Sequence, residues 1–302
     1  MDTRSTSRLN VFLMLLLISF WGSSFVVVKV ALNEGLSPTA IATFRFLIAG
    51  ALFMAAIMIK KSVSRKYCLS IQPRELPTIL LLSLTGVTVF FIAQYTGIRM
   101  AGASIAAIFV CLLAPIIISA LSVRLLKEKL RRTQIVGIAI AAIGTFIVIV
   151  GGGWSAQGGT DFLLGSILLL LTPFLWATYS LLGRRTLEKY DAFLVVAYVN
   201  MLGGLFLVPF SVAENSFHMV LGISSIGWVS ILFLSVTCSF FGYLIWFHVL
   251  KQAGAAATSS FLFIEPVITV IFAVTLFGER VDTSVLGGAF LIFVGVYLVT
   301  RR

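Results

Sequence analysis

Glu265 is the acidic residue set deepest in an apolar run, about 11 residues into the stretch 254–277. At about 1.5 Å per residue that is roughly 16 Å along a helix, half the depth of a hydrocarbon layer about 30 Å thick. A carboxylate there costs several kcal/mol unless it is paired, hydrated or protonated. Three readings follow: a contact for a ligand amine, a proton-coupling group, or a structural pair with a cation or hydroxyl. Pro266 beside it removes a backbone donor and is expected either to kink the run and expose a carbonyl or to serve packing alone. Aromatics with one polar atom accompany it at Trp21, Tyr95, Trp176, Tyr179, Tyr243 and Trp246. Such side chains suit a cavity that is apolar yet grips a ligand by stacking, cation–π contact or a single hydrogen bond, and they equally suit packing between helices. Ser24 and Gln94 add hydrogen-bonding capacity, as do Ser23, Asn200 and Thr269, which are also suited to bonding across helices. Lys29 late in its run and Arg45 early in the next are the intramembrane cations; they fit an outer vestibule, or anchors that snorkel or pair with Glu34.

The elements that must position these groups are long apolar runs. The chain has 302 residues, 60% of them hydrophobic and 11% charged, with a mean hydropathy of +1.10. That is more apolar surface than a water-facing exterior tolerates, so the chain is expected in a lipid bilayer. The runs predict spans over 10–32, 38–59, 76–98, 101–123, 133–151, 162–183, 192–212, 224–249, 254–277 and 283–300. They are too long and continuous for barrel strands, which predicts an all-α membrane protein of ten transmembrane helices. Short loops leave no room for a soluble catalytic domain. The first run is too long for a signal-peptide core and is expected to remain as a span.

With ten spans, 18 of the 22 Lys and Arg fall on one side, leaving Lys29, Arg45, Arg99 and Arg280. The positive-inside rule then places both termini in the cytoplasm and the chain, multi-pass, in the cytoplasmic membrane. The net charge of +11 is thereby spent on orientation, and no nucleic-acid partner is expected.

The chain also repeats itself. Gly102-Ala103-Ser104 opens a run containing Pro115 and closing at Glu128; Gly254-Ala255-Ala256 opens one containing Pro266 and closing at Glu279. The Pro-to-Glu interval is 13 residues in both, and Trp21–Lys29 and Trp176–Arg184 share an interval of 8. Further matches pair Arg45 with Asn200, Phe91 with Tyr243, Gly137 with Gly288 and Gly144 with Gly295. Two five-span units follow, 1–151 and 162–302. An odd number of spans forces the second unit to enter inverted, as in many secondary transporters. Gly137, Ala141 and Gly144 on span 5 and Gly288 and Gly295 on span 10 form small-residue stripes, read as packing surfaces away from the cavity. Glu128 and Glu279 each precede a helix and are read as contacts to its N-terminal dipole.

Four segments carry a family resemblance: FWGSSFVVVK (20–29), FRF (44–46), GASIAAIFVCLLAPIIISALSVRLLKEKL (102–130) and AATSSFLFIEPVITVIFAVTLFGER (256–280). The chain resembles the EamA-type members of the drug/metabolite transporter superfamily over nearly its whole length. Span 4 departs from the family's Pro…Gly-Glu ending by carrying Lys127-Glu128. The resemblance implies a ten-helix inverted repeat around a central cavity and a metabolite exporter; the family's substrates include amino acids, sugars, nucleobases and drugs.

Residues and resemblance together predict a secondary active transporter, working by alternating access on an amino acid or similar amine-bearing metabolite. The substrate contacts would be Trp21, Ser24, Lys29, Gln94, Tyr95, Trp176, Tyr179, Tyr243, Trp246 and Glu265, with Glu265 also the candidate for proton coupling. A drug, sugar or nucleobase transporter of the same fold, or a channel, is the alternative. HExxH, GxSxG and paired aspartates are missing, so no enzyme is expected, nor ATP as driver, since no Walker motif is present. Cys68, Cys111 and Cys238 show no metal spacing, and no cofactor or metal is expected. Ten spans suffice for a self-contained cavity in a monomer.

Overall fold

Apolar runs with no two-residue alternation can satisfy their backbone within lipid only as helices. The computed structural model is all-helical across its described residues, which are 8–63, 71–126, 132–154, 159–279 and 281–300. The main helices are α1 (Arg8–Asn33), α2 (Pro38–Val63), α3 (Pro73–Ala101), α4 (Ala103–Leu126) and α5 (Arg132–Trp154). They continue with α6 (Gly159–Thr186), α7 (Ala192–Ala213), α8 (Ser225–Ala253), the broken α9 (255–277) and α10 (Thr283–Thr300). A short helix, Ser216–Leu221, joins α7 to α8. Six of these helices, α1, α2, α3, α6, α7 and α8, are long and apolar enough to cross a membrane, and shorter apolar helices accompany them. Phe12, Phe146, Ile167, Val229 and Phe290 are exposed on the outside of the bundle. So large an apolar exterior fits lipid and marks a multi-pass membrane protein.

Among the described residues three helices depart from regular α geometry, and all three contribute to the cavity wall. α3 contains a π-helical stretch at Leu84–Thr88 and α8 another at Leu234–Phe241. α9 runs as α-helix over Ala255–Ser259, as 3₁₀ helix over Ser260–Ile264, and as α-helix again over Glu265–Phe277. Run 254–277 is thus interrupted just ahead of Pro266, in keeping with the kink that was one of the two expectations. Pro266 falls in the first turn of the last segment, where a missing N–H breaks no hydrogen bond.

α5 and α10 pack face to face at the periphery, and neither lines the central cavity. The small-residue stripes make this approach possible. A Cβ on Gly144 would stand 2.6 Å from the Gly288 carbonyl oxygen, and one on Gly295 2.5 Å from that of Gly137. Both obstacles are backbone and cannot swing aside. Gly295→Ala is therefore expected to destabilise the protein by about 1–3 kcal/mol through overpacking. Gly287→Ala, one position from the stripe and with nothing within 4 Å, is expected to be neutral or stabilising. Thermal denaturation in detergent checks both; equal melting of the two variants would overturn the close-packing account.

Candidate functional site

A cavity of about 450 Å³, counted to its open mouth, lies between α1, α2, α3, α4, α6, α8 and α9. Trp21, Ser24, Gln94, Trp176, Tyr243 and Glu265 line it, six of the residues picked out in the sequence. Phe25, Arg45, Phe90, Phe91, Val110, Cys111 and Leu262 complete the wall.

Glu265 is 3% exposed and opens the last segment of α9. Its Oε2 accepts from the Cys111 thiol at 2.9 Å, while Oε1 has no partner among the described residues. No cation lies within ion-pair distance of it among the described residues. The backbone around it is held tightly. Thr269 Oγ1 donates to the Gly22 carbonyl at 2.7 Å, locking α9 to α1, which assigns Thr269 to helix packing rather than to the cavity.

Trp21 and Trp176 meet edge to face with centroids 5.4 Å apart, and Trp246 lies 5.5 and 5.3 Å from them. The π-helical stretches serve this cluster by releasing backbone carbonyls from their regular partners. Trp21 Nε1 donates to the Cys238 carbonyl at 3.0 Å, and the Tyr243 hydroxyl to the Gly86 carbonyl at 2.8 Å. Gly86 and Cys238 each sit inside one of those stretches. Trp176 Nε1 is buried with no partner among the described residues.

Arg45 lines the cavity, and it does not pair with Glu34, which accepts instead from Ser224. It is 2% exposed, and its guanidinium reaches the cavity wall. Nε donates to Ser239 Oγ at 2.6 Å and Nη1 to the Tyr95 hydroxyl, while the rings of Phe91 and Phe46 lie 4.5 and 5.1 Å away. Its place in FRF, one helical turn and more inside span 2, was the available signal.

Four expected contacts lie outside the cavity lining. Tyr95 stands behind Arg45 as its hydrogen-bond partner. Tyr179 is fully buried between Trp176, Tyr243 and Phe247. Trp246 backs the Trp pair and is fully buried. Lys29 forms a 2.5 Å ion pair with Glu279 and lies over the Phe277 ring. Glu279 in turn accepts from the Ala103 and Ser104 backbone N–H groups and the Ser104 hydroxyl. It therefore caps α4 and not the helix that follows it, because Gly278 at φ 61° and the turn after α9 direct it back across the bundle. Glu128, its expected counterpart, lies outside the described residues, as does Cys68. Among the described residues no three His, Cys, Asp or Glu converge as a metal site.

Two matches to the EamA-like transporter family cover residues 8–150 and 163–301. The chain belongs to the EamA-like transporter family. It is a family of transporters, not of enzymes, and its members act on small molecules in a lipid environment. An uncharacterized transporter of Archaeoglobus fulgidus is 30% identical over 95% of this chain and 97% of its own length. A probable amino-acid metabolite efflux pump of Salmonella typhimurium is 27% identical over 97% and 95%. A solved crystal structure superposes with a TM-score of 0.63 at 17% identity, covering 96% of this chain and 95% of that one, a likeness of fold alone.

Proposed function

We propose that this EamA-like protein is a secondary active transporter that exports a small amine-bearing metabolite, an amino acid or a close relative, across the cytoplasmic membrane. The observation that carries the reading is Glu265: a buried carboxylate in the wall of an aromatic cavity, with one oxygen that has no partner among the described residues. An ammonium group supplies the missing countercharge, and the indole and phenyl rings add cation–π attraction. The Salmonella relative's name agrees with this class of cargo.

Alternating access rests on ten spans in two inverted units, 1–151 and 162–302, with both termini in the cytoplasm. Helix pairing supports that arrangement: α3 packs on α6 as α8 packs on α1, and α4 on α6 as α9 on α1, so exchanging the two sets of five returns the same pairs. In this conformation the wall runs from Ser24, Phe25 and Gln94 down to a floor of Trp21, Trp176 and Tyr243 backed by Trp246. By residue count Trp176 and Tyr243 lie nearer the helix ends read as cytoplasmic and Trp21 lies at mid-helix, while Gln94 lies nearer an outer end, so on this reading the cavity is outward-side with its inner path closed by the aromatic floor. Opening the inner path requires the aromatic floor to part. The cavity is built within one chain, so a monomer suffices, and proton exchange at Glu265 offers the coupling.

Proteoliposomes preloaded with unlabelled amino acid test the proposal. Saturable uptake of the labelled compound, accelerated by the internal load, is expected. Uptake that rises linearly with concentration and ignores the internal load would indicate a channel and overturn it.

A further inference from the structure

We infer that Arg45 and Trp176 bind the carboxylate of a cargo whose amine meets Glu265 in the same cavity, so that the cargo is an amino-acid zwitterion with an uncharged side chain. The inference rests on the amine-binding reading of Glu265.

The first support is charge. Arg45 on α2 and Glu265 on α9 line the same cavity, both almost wholly buried, and the ion pairs found among the described residues include neither. Two opposite buried charges that are not spent on each other each need a partner. A molecule carrying one cation and one anion satisfies both at once and leaves the occupied cavity neutral.

The second support is orientation. Tyr95 and Ser239 hold Nη1 and Nε of Arg45 from α3 and α8, and the Phe91 and Phe46 rings flank it. A guanidinium fixed in this way is preorganised for a planar anion, which it meets with a rigid fork of donors.

The third support comes from where the repeat breaks. Trp21 and Trp176 are equivalent, as are Cys238 and Gly86, 152 residues apart within the two π-helical stretches. Trp21 gives its N–H to Cys238. The acceptor equivalent for Trp176 is the Gly86 carbonyl, and Tyr243, which stands where the first unit has Phe91, has taken it. Trp176, a wall residue, thus keeps a buried N–H with no acceptor among the described residues. A buried donor without an acceptor costs about 1–3 kcal/mol, which a ligand oxygen recovers.

Phe25, Phe90, Val110 and Leu262 supply apolar lining beside the polar but uncharged Ser24 and Gln94, with no third charge among the described wall residues. A cargo with an ionised side chain would bury that charge unpaired, so uncharged side chains are selected.

Tryptophan-fluorescence titration of the purified full chain with three probes tests the assignment. L-leucine carries both charged groups, isoamylamine lacks the carboxylate, and 4-methylpentanoate lacks the amine. Leucine is expected to bind at least tenfold more tightly than either partial probe, and L-lysine more weakly than leucine. In Arg45→Gln, and in Arg45→Lys as the milder variant, leucine's advantage over isoamylamine should shrink toward parity while its advantage over 4-methylpentanoate persists. If isoamylamine binds wild type as tightly as leucine, the carboxylate assignment is refuted and the amine reading stands. If 4-methylpentanoate matches leucine, the amine reading fails while Arg45 survives. Failure of all three probes and of L-phenylalanine to bind overturns both.

Discussion

Transport by Glu265→Gln is expected to fall about 100-fold or more, the consequence of losing roughly 3 kcal/mol of charge-assisted contact to an ammonium group. The fold should not suffer in parallel. Glutamine has the same shape, retains an oxygen for the Cys111 thiol, and removes a buried charge that has no cation near it among the described residues. Replacing an uncompensated buried charge with a neutral isostere is neutral or stabilising. Unliganded Glu265→Gln should therefore melt at or above the wild-type temperature while transporting almost nothing. A purely structural Glu265 predicts the reverse, a lowered melting temperature with transport reduced in proportion. If Glu265 also carries the coupling proton, whatever transport remains in the variant should lose its dependence on external pH. Undiminished transport with an unchanged pH profile would remove Glu265 from the mechanism.

Hydropathy is additive along the chain, which is why so much of the helical framework was readable. Apolar runs gave helices, small-residue spacing marked α5 and α10 as packing elements away from the cavity, and the repeated Trp marked two residues of its wall. Distance along each helix was also readable, because residue count converts directly to rise. Two things were not. The first was the direction each side chain faces around its helix: counting placed Arg45 and Lys29 alike near the outer side, yet Arg45 turns into the cavity and Lys29 turns to Glu279, 250 residues away. Tyr95, Tyr179 and Trp246 failed as expected contacts for the same reason, since an aromatic behind the wall has the same spacing as one in it. The second was local backbone irregularity. A π-helical stretch changes no residue's hydropathy, so nothing in the composition of Leu84–Thr88 or Leu234–Phe241 announces it. Both stretches reset the facing of everything beyond them, and both supply the carbonyls that hold Trp21 and Tyr243. The differences between the halves, visible as Glu265 against Ala114 and Arg45 against Asn200, were the better guide to chemistry. Asn200 illustrates the contrast: its Nδ2 donates to the Val196 carbonyl of its own helix at 2.9 Å, outside the cavity lining.

Glu279→Gln is expected to cause the largest loss of stability among substitutions outside the cavity, about 2–4 kcal/mol at neutral pH. The carboxylate accepts from Lys29 Nζ, two backbone N–H groups and the Ser104 hydroxyl, and so joins the ends of α1, α4 and the loop after α9. Gly102, at φ 92° and with its Cβ position 3.3 Å from Glu279 Oε1, lets the chain turn into α4 without blocking the carboxylate. A glutamine leaves the partly buried Lys29 ammonium without its countercharge and can accept through only one oxygen. Burial pushes the Glu279 carboxyl up, but the hydrogen bonds from Lys29, Ser104 and Ala103 and the Lys29 charge outweigh it and hold the group below the usual carboxylate range. The sign of the pH dependence follows. The unfolded chain takes up the proton first as acid is added, so the stabilisation is complete above the ordinary carboxylate value near 4.3 and disappears as pH falls through the lower folded value. Melting temperatures of wild type and Glu279→Gln, measured in detergent from neutral to strongly acidic pH, should therefore differ most near neutrality and converge only below about pH 4. Lys29→Met should cost less than Glu279→Gln, because the carboxylate keeps its contacts to Ala103 and Ser104. Combining the two should recover part of the loss, since no charge is then left behind. A gap between wild type and Glu279→Gln that persists unchanged into acid would show that shape, and not charge, holds this end of the bundle together.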